Sequence, residues 1–271
     1  MFKKICIYSV MLFTVVISVF PILWIILSAF KTNAQILGSP FSLPTRLDFA
    51  PFIKVYTQYN FLTYTFNSLL IAVVAAAGAV IVYSMGAYVF AKYDFRGKNF
   101  LYALFVITLL IPTYTMVQPI FYIIRILGMY DTRQGLMLVY LSGGLAFSLF
   151  VLRAAFMTVP KELNESATIE GAGFFRIFRT INLPLVKPGL ITSGVLMFLN
   201  NWNEYFFSML LITSKTNRTL PLALNFFTES FAYDYTKMFA ALTLAVLPGI
   251  LIYAAGQDQI QASFSTSGIK G

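Results

Sequence analysis

The chain has 271 residues, of which 59% are hydrophobic and 11% charged, against roughly 25% charged residues in a soluble domain. A water-soluble core cannot absorb that much apolar sequence, so an all-α, polytopic membrane protein is expected. The net charge of +9 contains no dense basic run, which favours topology-setting Lys and Arg over nucleic-acid binding; the absence of histidine excludes zinc-protease motifs and His-based triads.

Six apolar runs, at residues 5–30, 65–91, 100–124, 135–156, 185–213 and 238–256, reach the roughly 20 residues that span the hydrocarbon as a helix. Lys3 and Lys4 precede the first run, and no short apolar core with a small-residue cleavage site follows, so an uncleaved first helix is expected. Its single cysteine, Cys6, can form no internal disulfide. Residues 31–64 carry Pro40, Pro44 and Pro51, which disfavour a continuous helix and predict an irregular external cap. The second run is rich in Ala and Gly, which let helices approach closely in lipid. Lys92, Arg96 and Lys98 crowd the next connection. Together with Lys3 and Lys4 they place it and the N-terminus in the cytoplasm. Six crossings then put the loop at 162–184 and the C-terminus there too. Pro21, Pro112, Pro119 and Pro248 fall inside runs and favour bends. This divides the chain into a first helix with its external segment (1–64), a five-helix core (65–256) and a cytoplasmic tail (257–271).

The loop at about 158–184 is the most distinctive segment. Thr158 as a capping hydroxyl, Pro160 near the first turn and Glu162 as its acidic residue predict a helix start, and Glu165 and Ala167 lie on that helix. Gly171 and Gly173 break it. A second short helix follows from Phe174 to about Ile181, with Phe174, Phe175, Ile177 and Phe178 on an apolar face and Arg176 and Arg179 on a basic one. Pro184 ends it. The pair reads either as a docking handle built around aromatic residues or as an amphipathic helix lying on the bilayer. Further along, Asn200, Asn201, Asn203 and Glu204 fall within the fifth run. At membrane depth they either face a wet pathway, with Trp202 and Tyr205 as stacking surfaces, or tie helices together by hydrogen bonds. Phe226, Phe227, Tyr233 and Tyr235 belong to an external loop that either meets a partner or belts the membrane interface. The tail after Gly256 is polar.

The order Glu165-Ser166-Ala167, three residues, Gly171, nine residues, Ile181-Asn182-Leu183-Pro184 resembles the "EAA" loop of permeases in binding-protein-dependent ABC importers. Ser166 stands where that family usually has alanine. Phe66-Asn67-Ser68-Leu69, Tyr88 to Phe95 with Arg96-Gly97-Lys98, Leu127-Gly128-Met129-Tyr130-Asp131-Thr132, Trp202-Asn203-Glu204-Tyr205, Thr219-Leu220-Pro221-Leu222 and the ending Ser267-Gly268-Ile269-Lys270-Gly271 extend the resemblance to the six-span, maltose-type sugar permease. Gln257-Asp258-Gln259 departs from the usual Gln-Arg after the last span.

The resemblance implies a di- or oligosaccharide importer of the inner membrane, with both termini cytoplasmic. Its partners would be a second homologous permease, two cytoplasmic ATPase subunits and an extracytoplasmic sugar-binding protein. It assigns ATPase coupling to Glu165, Ala167, Gly171, Phe174, Phe175, Phe178, Ile181, Leu183 and Pro184. It also implies that the partner permease supplies the principal sugar site, that the loop at 224–235 reaches the binding protein, and that the tail approaches the ATPases. No phosphate loop occurs in the chain; Gly97-Lys98 lacks the rest of the motif. No cofactor is therefore expected in this subunit, ATP and Mg being bound by the ATPases. The rival readings are an importer of the same fold for a polyamine or phosphate, and an intramembrane enzyme, which would need a nucleophile–base pair at matching depth.

Overall fold

The computed structural model describes residues 2–230 and 234–268, with side chains described for 3–225 and 234–263. In chain order the helices are α1 (Phe2–Ser28), α2 (Asn33–Gly38), α3 (Ala50–Gln58), α4 (Phe61–Lys92), α5 (Lys98–Ile107), α6 (Val117–Ile126), α7 (Arg133–Gly143), α8 (Leu145–Met157), α9 (Lys161–Ile169), α10 (Phe174–Ile177), α11 (Leu183–Leu185), α12 (Lys187–Asn203), α13 (Phe206–Leu211), α14 (Leu220–Ser230) and α15 (Tyr235–Gly268). No strand occurs among the described residues. The α1, α4 and α15 helices are each long and apolar enough to cross a membrane. Three further pairs reach that length only together, across bends of 101° (residues 98–110 and 113–126), 51° (α7 and α8) and 79° (residues 174–185 and α12).

The helix boundaries correct several expectations, and the run at 135–156 is broken at Gly144, between α7 and α8. The run at 100–124 is not one helix. A 3-10 turn ends at Leu110, Ile111 is extended, and Pro112, with ψ 127, starts a second 3-10 turn at Thr113. Ile111 precedes a proline, whose ring disfavours the helical conformation there. The run at 185–213 also stops early: α12 ends at Asn203 and α13 begins at Phe206. By contrast, α15 runs past Gly256 to Gly268, so the segment after 256 continues the last helix. Pro21 and Pro248 lie within helices that continue through them.

The chain divides into two compact units. The first comprises residues 1–65 and 220–248. Its segment at 31–64 is more ordered than its prolines suggest. Thr32 and Gln35 form a capping box that opens α2, and Pro51 sits in the first turn of α3, where its missing N–H costs nothing. Trp24 packs edge-on against Phe239, with ring centroids 5.1 Å apart. The Thr236 hydroxyl donates to the Lys31 carbonyl at 2.8 Å, joining the end of α1 to the start of α15. Most of α1 is exposed around its whole circumference, so its apolar cover is lipid or another chain.

The second unit comprises residues 66–219 and 249–271. Along α4 the small residues Ala72, Ala75, Ala76, Ala79 and Ala87 are buried, while Val73, Val74, Ile81 and Val82 face outward. This is the small-in, branched-out pattern of a helix packed in lipid. The Tyr83 hydroxyl donates to the Leu141 carbonyl at 2.5 Å. Gly189 of α12 is required by closeness to α8, since a Cβ there would stand 2.7 Å from the Ala155 Cβ. Thr192 of α12 donates from its hydroxyl to the Gln259 carbonyl of α15 at 3.1 Å.

One polar knot explains a motif noted in the sequence. Asp131 has a left-handed backbone, φ 57. Its carboxylate accepts from the Thr213 and Ser214 amides, each at 2.9 Å, and from the Ser214 hydroxyl at 3.0 Å. Partial desolvation works against the charge, but the Ser214 and Thr213 donors outweigh it and hold the carboxyl below the usual range. Next to it, Thr132 caps α7 by accepting from the Gly135 amide at 3.1 Å.

Candidate functional site

The segment at 158–185 is a helical hairpin. Its first arm, α9, begins at Lys161 with Pro160 in the capping position. The Thr158 hydroxyl, expected to cap, instead donates to the Ala155 carbonyl at 2.8 Å. The arm ends in a Schellman motif: the Ala172 amide donates to the Ala167 carbonyl at 2.9 Å and the Gly171 amide to the Thr168 carbonyl at 3.0 Å. That closure requires a left-handed residue, and Gly171 has φ 80. A Cβ at Gly171 would meet nothing within 4 Å, so the demand is conformational and not steric. Gly171→Val should therefore cost at least about 1–2 kcal/mol through backbone strain, and Gly171→Asn distinctly less. Thermal unfolding of the two purified variants measures the difference; equal midpoints would remove the cap from the account.

Gly173, with an extended backbone, starts the second arm. Here Pro184 does not end the helix as expected. Residues Phe178–Asn182 form a π-turn between α10 and α11, and the wider turn carries the chain past a residue that lacks an N–H. The break falls at Val186, φ −98 and ψ 13, after which α12 restarts with Pro188 in its first turn. Asn182, wholly buried, ties the arms together. Its Nδ2 donates to the Asn164 side-chain oxygen at 2.8 Å and to the Ile177 carbonyl at 3.2 Å.

An aromatic cluster anchors the hairpin. Tyr88 near the end of α4 is fully buried, with ring centroids 5.1 Å from Phe178, 5.3 Å from Phe174 and 5.5 Å from Phe156. Tyr93 closes the cluster, 5.5 Å from Phe174 and 5.6 Å from Tyr88. Lys92 Nζ donates to the Val159 carbonyl at the hairpin's entry. Phe178 and Ile177 are thus buried, and the apolar face predicted for the second arm is divided: part of it is core. Phe175 is 68% exposed and Ile169, at the end of the first arm, 87% exposed.

Glu165 is exposed on α9, Ala167 buried beneath it, Ile181 and Leu183 half-buried, and Pro184 exposed. Ile169 was not singled out in the sequence. Its signal was available: an isoleucine two residues before a helix-ending glycine, on an arm whose buried face is Ala167. Beneath this arm, Lys92, Tyr93, Lys161, Asn164, Glu165, Thr168, Ile169 and Ile177 line a pocket of about 370 Å³. In the neighbouring connection, Asp94 is exposed and paired with Lys98 at 2.8 Å; the ammonium's hydrogen bond holds this carboxyl below the usual range.

The polar residues of the fifth run part company. Asn200 and Asn203 are exposed on one face of α12, and Asn203 donates to the Leu199 carbonyl at 2.8 Å. Asn201 and Trp202 are buried, with Trp202 stacked on Phe198 at 5.9 Å and 18°. Glu204 lies in the break before α13 and is engaged by protein donors. It accepts from the Tyr140 hydroxyl at 2.6 Å and from the amides of Phe207 and Ser208 at 2.8 and 3.2 Å. Tyr205 is half-buried, its hydroxyl 3.0 Å from the Met209 sulfur. Phe226 and Phe227 lie on the backbone of α14 with side chains outside the described residues, Tyr233 is outside them altogether, and Tyr235 opens α15 half-buried.

The fold combines helices of membrane-spanning length, single or as bent pairs, with a charged helical hairpin. The chain belongs to the family of inner membrane components of binding-protein-dependent transport systems, whose model matches residues 83–266. It is 33% identical over 252 residues to the diacetylchitobiose uptake system permease NgcG of Streptomyces coelicolor, covering 92% of this chain and 83% of that one. It is 30% identical over 259 residues to the inner membrane ABC transporter permease YcjP of Escherichia coli, covering 94% and 92%. Among solved structures, a bacterial ABC transporter involved in import of the acidic polysaccharide alginate shares the fold. The TM-score is 0.82 over 95% of this chain and 96% of that one, at 24% identity. The chain is therefore a multi-pass membrane permease subunit.

Proposed function

We propose that this subunit forms half of the translocation pathway for a di- or oligosaccharide, with a second permease as the other half. Two ATPase subunits bind and hydrolyse ATP with Mg, and an extracytoplasmic binding protein delivers the sugar. The observation that carries the reading is the hairpin. Two exposed apolar side chains, Ile169 and Phe175, stand on an element whose base is locked to α4 and α8 by buried rings. An exposed pair of that kind is what a partner buries as a hot spot, and the anchoring lets movement of a docked ATPase reach the membrane helices. The hairpin, both termini and the connection at 92–98 are assigned to the cytoplasm. Glu165, Ala167, Gly171, Phe174, Phe178, Ile181, Leu183 and Pro184 shape and seat the contact. The ATP-driven switch works because the two states of the permease bind the ATPases and the sugar-loaded protein with different free energies.

The sugar assignment is supported by relatives that are permeases for diacetylchitobiose and for arabinooligosaccharides. Within the second unit, Asn200 and Asn203 are the exposed polar side chains of α12 that suit a pathway wall, whereas Glu204 is committed to Tyr140 and α13. Phe226, Phe227, Tyr233 and Tyr235 are assigned to the contact with the binding protein. The test is uptake of a panel of labelled chito-, arabino- and malto-oligosaccharides in cells with and without the gene. Loss of uptake of at least one of them on deletion is expected; loss of uptake of a polyamine or phosphate alone would sink the sugar reading.

A further inference from the structure

The first unit buries a cation that no carboxylate of the described chain neutralises. Lys31 stands three residues beyond α1 and is 2% exposed. Its Nζ donates to the Pro40 carbonyl at 2.8 Å, and among the described residues no carboxylate reaches it within ion-pair distance. An ammonium has three N–H donors, and burying its charge with one neutral acceptor is costly. Lys31 also lines a pocket of about 260 Å³ together with Arg46, Lys54, Lys237, Asp48 and Asp234. Both carboxylates already serve other cations: Asp48 lies 3.5 Å from Arg46 and Asp234 2.8 Å from Lys237. Among the described residues, four cations and two carboxylates line the pocket and leave two positive charges, at Lys31 and Lys54, that an anion from outside would neutralise.

The pocket's position names the anion's source. Lys31 lies just past the last residue of a membrane-length helix and Lys237 near the first residue of another. The two helix ends are bonded to each other through Thr236, whose amide donates to the Asn33 side chain at 3.2 Å and whose hydroxyl donates to the Lys31 carbonyl. Both ends therefore leave the hydrocarbon on the same side, at headgroup depth. Phe30, Phe49 and Phe52 pack together there, with centroids 5.2 to 6.1 Å apart, and Phe30 gives the charged pocket an apolar side. Clustered Lys and Arg donors there can give charge-assisted hydrogen bonds to the phosphate oxygens of a lipid headgroup.

We propose that the pocket formed by Lys31, Lys54, Arg46 and Lys237 binds the phosphate oxyanion of an anionic phospholipid headgroup, which neutralises Lys31. The ligand chemistry is that of a phosphate, and the lipid is its source. The test uses the full chain in nanodiscs of phosphatidylcholine, with and without phosphatidylglycerol, and a parallel arm with inorganic phosphate. Native mass spectrometry counts retained phosphatidylglycerol, and thermal unfolding gives the midpoint. Phosphatidylglycerol should be retained and should raise the midpoint, and inorganic phosphate should not. Lys54→Gln, at an exposed position, should bind the lipid about fivefold more weakly. Lys31→Gln, which keeps a polar amide but removes the buried charge, should abolish the lipid-dependent shift. Unchanged lipid retention in Lys54→Gln, or an undiminished shift in Lys31→Gln, overturns the proposal. An equal shift with inorganic phosphate overturns the lipid source.

Discussion

Phe178→Asp is expected to collapse the hairpin at its base and remove stable protein from the membrane. Phe178 is 9% exposed and contacts Tyr88, itself fully buried, and Phe156. Truncating such a ring costs about 3–5 kcal/mol. The carboxylate that replaces it is placed among aromatic rings, and an unpaired buried charge adds a penalty of its own. Against a total stability of about 5–15 kcal/mol for a typical domain, this is enough to unfold the second arm. Detergent-extracted yield, thermal midpoint and proteolysis between residues 158 and 185 are the measurements. A variant with wild-type yield and midpoint would show that the aromatic cluster does not anchor the hairpin.

The double replacement of Ile169 and Phe175 by Asp should have the opposite profile: an intact chain that does not transport. Both side chains are mostly exposed, so the fold loses little, since surface changes away from special features fall within about ±0.5 kcal/mol. A partner that buries them loses two apolar anchors of hot-spot type, each worth about 2 kcal/mol or more, or roughly 30-fold in affinity. Co-purification with the ATPases should fall below detection and sugar uptake should drop to background, while the thermal midpoint stays at the wild-type value. Retained co-purification would move the docking contact away from the hairpin tip. The contrast with Phe178→Asp is decisive, because a residue that acts only through folding cannot give loss of partner with an unchanged midpoint.

Some features were legible without coordinates because they depend on local chemistry. Apolar length predicts membrane helices, and α1, α4 and α15 require nothing else. Gly171 breaks its helix because only glycine takes the left-handed angle freely, wherever the helix is packed. The small residues of the second run predict close packing; Ala72, Ala75, Ala76, Ala79 and Ala87 are buried, Gly78 and Gly86 half-buried, and Ala77 is exposed. The same local rules misjudged Pro184, Thr158 and the run at 100–124. A π-turn lets a helix pass a proline, a hydroxyl can bond back to its own helix, and a long apolar stretch can hold a bend of 101°.

What a side chain does once the helices meet was beyond local chemistry. Phe174, Phe175 and Phe178 are the same residue type within five positions. Nothing in that spacing says that Phe178 is core and Phe175 surface. Tyr88, Tyr93 and Phe156 decide it, through contacts that lie 22 to 90 residues apart in sequence. Glu204 reads as a polar residue exposed to a pathway until Tyr140, 64 residues earlier, is found to occupy its carboxylate. The chain alone therefore determined which segments are apolar enough to span a membrane and that the backbone turns at Gly171, since both follow from transfer energies and allowed backbone angles of individual residues. Tertiary structure alone decided which apolar and charged groups remain available to partners, because availability is what is left after long-range packing has consumed the rest.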